Sequence, residues 1–136
     1  MRRFATILFC LLAAPTTASA ADDGCAAATE VVRSISAAAA AYMVDDVATI
    51  RTSAAALADA VEKSAPLAEA EGWPVEYTAL LVDVGPMAAG IRDREGELVE
   101  GEGDALISYA DQLKTETIKR CGEDAIPAEA NASTKG

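Results

Sequence analysis

The chain has no histidine, one tryptophan, three tyrosines and two phenylalanines, and half as many basic as acidic residues, 11 against 22. Without histidine it lacks the usual general base at neutral pH and the commonest metal-ligating side chain. Covalent haem attachment and the Glu-x-x-His pairs of di-iron bundles both need that residue, and the cysteines show no zinc-type pairing in sequence. No serine sits in a recognisable nucleophile motif. We therefore expect no catalytic residues, no cofactor and no resident metal. The shortage of basic residues excludes the patches that nucleic acids and anionic membrane surfaces demand. No stretch of alternating β-branched residues argues for strands.

Long apolar runs are scarce as well. The one at the beginning, Phe4 to Ala14, follows Arg2 and Arg3 and precedes the small residues Ala18, Ser19 and Ala20. Those are the three parts of a secretory signal peptide, so residues 1–20 are read as a leader cleaved after Ala20 by a Sec-type route. The run is too short for a membrane anchor, and no later segment approaches the roughly 20 apolar residues of a spanning helix. No stable membrane insertion is expected after cleavage, and the location is expected to be periplasmic or extracellular. What remains has the length of a single domain, able to bury roughly two-thirds of its unfolded surface. Loss of Arg2 and Arg3 makes the acidic excess two charges larger than the −11 of the full chain.

Of three cysteines, Cys10 leaves with the leader. Cys25 and Cys121 remain, in a compartment that permits disulfides, and they are expected to pair. Two free thiols acting as a redox or metal pair are the less favoured alternative, although Arg120 directly precedes Cys121.

Periodicity predicts four helices. In the first, Cys25, Ala28, Val32, Ile35, Ala39 and Tyr42 follow at steps of three and four, with Asp23 as N-cap and an end near Met43. A corner at Val44, Asp45 and Asp46 leads to a second helix with Val47, Ile50, Ala54, Leu57 and Val61 on its seam; because of Pro66 it is expected to end near Lys63 or to continue only weakly. Gly72, Trp73 and Pro74 open a third helix with seam Tyr77, Leu81, Val84, Ala88 and Ile91. Gly85 and Pro86 interrupt it, and because the seam stays in phase across them a kink is expected there. Asp93 to Asp104 reads as an acidic loop. The last helix carries Leu106, Ala110, Leu113 and Thr117, and Gly122 is placed to close it. Residues 21–122 would form the bundle and 123–136 a disordered tail. The fold class is therefore all-α: an antiparallel up-down-up-down four-helix bundle with a terminal disulfide and a kinked third helix. An even number of alternating helices brings Cys25 and Cys121 to the same end, as their bond requires.

Candidate contacts follow from what a bundle of this composition leaves over. The acidic segment offers Glu95, Glu97, Glu100 and Glu102, which suit a basic partner or a hard cation, although their spacing does not follow an EF-hand loop. Trp73, with Tyr77 one turn further on, is placed to cap one end of the core or to anchor a partner. Met43 and Met87 are read as core filler rather than soft-metal ligands. Asn131, Ala132 and Ser133 match a glycosylation sequon.

From about Ala38 to Thr115 the pattern resembles a family of periplasmic helical domains of uncharacterised function that accompany heavy-metal efflux adaptors. Tyr42, Asp45 and Asp46, the alanine-rich helix through Leu57, Trp73 before the third helix, and the stretch from Ala105 to Leu113 carry the resemblance. It implies a helical domain of the cell envelope. The chain departs from that family after the bundle, where Cys121, Gly122 and Glu123 stand in place of a Cys-Pro-Met segment. The functional expectation is a non-catalytic protein-interaction module, of inhibitor or immunity type, meeting a protein partner of basic character. The alternative is an envelope accessory that handles a metal or small ligand.

Overall fold

The computed structural model describes the backbone of residues 2–126 and the side chains of residues 23–126. Four helices succeed one another: α1 (Arg2–Met43), α2 (Val47–Ala70), α3 (Val75–Asp93) and α4 (Glu102–Cys121), followed by a 3-10 turn over Glu123–Ala125. Among the described residues there is no strand. Each helix packs against its neighbours in the chain and α4 closes back on α1, while the diagonal pairs do not meet. That is the square, up-down-up-down arrangement, with Cys25 bonded to Cys121 and their Cα atoms 5.9 Å apart.

The predicted seams form the core with one exception: Val47, expected on the α2 seam, is 48% exposed because it lies in the first turn, at the open end of the bundle. Val32, Ile35, Leu57, Tyr77, Val84, Ile91, Leu106 and Leu113 are all closed to solvent or nearly so, each contributing about 1.5–3 kcal/mol through the apolar surface it buries. The α1–α2 interface is the most intimate of the four and α3–α4 the least. Small side chains explain the first: Ala38, Ala39 and Ala41 on α1 and Ala54 and Ala58 on α2 are buried without bulk to hold the backbones apart. Trp73 is buried over one end of this core, its ring 4.6 Å from that of Tyr77. Its indole N–H donates to Glu71 and the guanidinium of Arg120 lies 5.1 Å above it.

Several boundaries differ from those the sequence suggests. Asp23 lies within α1, which is continuous from Arg2, instead of capping it. At the next start, Asp46 is the true cap, its carboxylate accepting from the Thr49 N–H and hydroxyl at 3.2 and 2.6 Å.

Pro66 does not end α2, which runs on to Ala70. The proline points to solvent, so the Glu62 carbonyl it leaves without a donor can be hydrated, while Ser64 and Ala68 on the inner face continue the buried seam. Pro86 is likewise exposed, and α3 passes through it unbroken. The chain also stays ordered past Gly122: the Thr29 hydroxyl donates to the Ala125 carbonyl at 3.1 Å and Ile126 is buried. The bundle therefore extends four residues beyond the expected boundary, since an isoleucine within reach of the core gains by covering it. Residues 127–136, with the Asn131 sequon, lie outside the described residues, as do the side chains of the leader.

Candidate functional site

The bundle has two unlike ends. At one, the disulfide, the α2–α3 connection and the Trp73 cluster are tied together, with Arg120 donating to the carbonyls of Glu71 and Gly72 at 2.9 and 3.5 Å. At the other, the α1–α2 corner meets the α3–α4 loop. Gly96 lies against the backbone of Val47, and Gly103 against the ring of Tyr42.

The α1–α2 corner and the start of the α3–α4 loop are built alike. At the end of α1, the Asp46 N–H reaches the Ala41 carbonyl at 2.9 Å and the Asp45 N–H the Tyr42 carbonyl at 3.2 Å. At the end of α3, the Gly96 N–H reaches Ile91 at 2.9 Å and the Glu95 N–H reaches Arg92 at 3.0 Å. These are Schellman closures, which require a left-handed residue, usually glycine, just past the helix. Here the residues are Asp45, with φ 56°, and Glu95, with φ 58°. A side chain in that conformation is strained by about 1–2 kcal/mol. A carboxylate beside a helix C-terminus also meets the negative end of the dipole. The equivalent position after α2 is Gly72, with φ 70°, so the strain is confined to the acidic end.

Between corner and loop lies an open cleft of about 370 Å³ lined by Tyr42, Asp45, Val47, Ile50, Gly96, Glu97 and Leu98. Of the seven large apolar side chains left exposed among the described residues, four are at this end: Met43, Val44, Val47 and Val99. Val44 is 73% exposed, more than any other of the seven. Asp45, Asp46, Glu95, Glu97 and Glu100 surround them and face solvent. The site is thus an apolar centre with an acidic rim.

Arg94 is the cation within the loop, and its guanidinium forks onto Glu102 at 2.9 and 2.8 Å. Glu102 also accepts from the Val99 N–H at 2.9 Å. Partial burial works against the Glu102 carboxylate, but the Arg94 bonds, the Val99 N–H and the charge of Arg94 outweigh it and hold the group below the usual carboxylate range. The same pairing pushes Arg94 upward. Asp46 is held low by its bonds from Thr49.

No protein-family model, curated protein or solved structure matches this chain.

The structure divides the residues expected to meet a partner. Glu95, Glu97 and Glu100 are exposed at the cleft end, whereas Glu102 is committed to Arg94. Trp73 and Tyr77 belong to the opposite half and are buried, so neither is presented to a partner. Tyr77 is wholly enclosed, shares a 2.7 Å hydrogen bond with Ser64, and burial pushes its hydroxyl up to about 12 against the smaller opposing effect of that bond. Met87 packs partly against the core, but Met43 is half exposed at the rim of the cleft, which corrects its reading as filler. Among the described residues, no three carboxylates or cysteines gather closely enough to hold a metal ion, and no helix is long and apolar enough to cross a membrane.

The apolar half of the site, Val44 and Val99 above all, escapes a reading by helical seams. The available signal was local: a valine in a corner whose turn needs only Asp45 and Asp46, and another inside an acidic loop. Neither position has a folding reason to be apolar.

Proposed function

We propose that the protein is an exported, non-catalytic interaction module whose acidic, apolar-centred bundle end receives a basic protein partner, in the manner of an inhibitor or immunity protein. The concentration of exposed apolar residues around the cleft carries this reading. Met43, Val44 and Val47 are placed to take up an apolar anchor, and the surrounding carboxylates to steer and orient a cationic surface. The apparent leader at residues 1–20 supports export, with Ala21 as the first mature residue, and the Cys25–Cys121 disulfide is consistent with an oxidising compartment.

The test is native mass spectrometry of the mature protein isolated gently from its own compartment at low salt, alongside a Val44→Asp variant whose circular dichroism is unchanged. A stoichiometric protein partner that leaves as salt is raised, and that Val44→Asp fails to retain, is the expected result. A partner held equally by the variant, or a metal or small molecule in place of a protein, would overturn the reading.

A further inference from the structure

Helix α3 is apolar on two opposite faces. Between Glu76 and Arg92 its only charged residue is Asp83. One seam, from Tyr77 to Ile91, faces the core. A second runs along the opposite side through Val75, Ala79, Val82 and Pro86, again at steps of four, three and four, and all four residues are exposed. Val75 is 70% and Val82 71% exposed. A surface helix ordinarily turns charged residues to water on that side, and one that is apolar on both is ordinarily covered on both. Nothing in the fold of the bundle calls for the outer seam.

We infer that this outer face of α3 docks a helix from a basic protein. Its spacing is that of a helix-packing seam, four residues over three turns, and it offers no strand edge with which an extended segment could pair. The flank toward α4 is acidic: Glu76 and Asp83 lie beside the seam, and Asp111 stands across the groove, of about 310 Å³, that opens between the two helices, while Glu116 in the same groove is already paired with Lys119. Lysines or arginines beside the apolar seam of an incoming helix meet these carboxylates. Pro86 adds a second reason for a donor-bearing partner. It brings no N–H to the Val82 carbonyl, so the middle of the face carries a backbone acceptor that its own helix does not satisfy. A second copy of the chain fits poorly, because antiparallel apposition about Val82 would bring one Asp83 toward the other, on molecules already carrying −11.

The face is distinct from the bundle-end cleft, and the experiment separates them. A dye-labelled designed helical peptide with an Ala/Leu seam flanked by lysines is titrated into the full-length protein, followed by fluorescence anisotropy, with a glutamate-flanked peptide of the same seam as control. Binding of the lysine peptide that weakens at least about tenfold in Val82→Glu, with no binding of the glutamate peptide, is expected. Val82 is exposed and glutamate favours helix, so the variant should fold; Val44→Asp should bind as the parent does. Absence of binding, equal binding by Val82→Glu, loss of binding in Val44→Asp instead, or a parental dimer that Val82→Glu makes monomeric would each overturn the assignment.

Discussion

Asp45 and Glu95 hold the same place in two copies of one motif: each is the left-handed residue that lets a helix end, and each stands where glycine would be more stable. Both lie at the acidic end of the bundle, one in the α1–α2 corner and the other at the start of the α3–α4 loop. Replacing either with glycine should stabilise the fold by about 1 kcal/mol, by relieving φ strain and removing a charge from a helix C-terminus. Urea unfolding of Asp45→Gly, Glu95→Gly and the double variant checks this. Lower stability in the singles would show that the carboxylates make compensating contacts.

Gly103 allows α4 to cross directly over the ring of Tyr42, and any Cβ placed there would collide with it. Gly103→Ala should destabilise the protein by about 1–3 kcal/mol through overpacking. Because Tyr42 also lines the cleft, the same substitution should alter the cleft wall, visible as shifts of the Val47 and Leu98 methyl resonances.

The Cys25–Cys121 bond closes a loop across 96 positions of sequence. In the chain-entropy model a loop of that size contributes about 4–5 kcal/mol. Cys25→Ser should lower the denaturation midpoint accordingly, and Cys25→Ser/Cys121→Ser should match it. If the double variant unfolds where the parent does, the bond contributes nothing to stability.

Tyr77 sets an alkaline limit. Its hydroxyl titrates at about 12 when folded against 10.0 ordinarily. The unfolded chain therefore loses its proton first as pH rises. The Tyr77 contribution to stability should be level below pH 10.0 and fall between there and about 12, by about 3 kcal/mol in all. Tyr77→Phe should abolish the fall while costing about 1 kcal/mol for the unpaired Ser64 hydroxyl.

Glu102 sets the acid limb with the opposite sign. Its carboxyl is held below the ordinary 4.5, so the support it lends is fully present above that value and disappears as pH falls through the lower folded one. Glu102→Gln should weaken the protein at neutral pH and flatten its acid dependence. An unchanged acid limb would assign that dependence to other carboxylates.

Val47 apart, the seams of all four helices, the disulfide and the helix order are legible in the sequence, because each rests on a periodicity or a parity that a bundle cannot avoid. What escaped was decided by direction. Pro66 reads as the end of a helix, yet a proline facing water forfeits only a carbonyl that water can take, and whether it faces water depends on the packing of everything else. Ile126 looked like part of a polar tail, and only the proximity of the two chain ends at the disulfide puts core within its reach. Trp73 and the acidic loop both read as contacts; they lie at opposite ends because one helix, α3, separates them. The outer seam of α3 was hidden in plain composition, since a helix with two apolar faces shows no preferred side until one of them is filled.

The bond between Cys25 and Cys121 also changes what a break in the backbone means. From the first of these residues to the last, the bundle is topologically a ring. A protease that cuts the exposed α3–α4 loop would produce a nicked molecule, not two pieces, with all four helices still tethered through sulfur at the far end. The loop that carries the acidic rim can be severed without freeing either half, and the two fragments would part only after reduction.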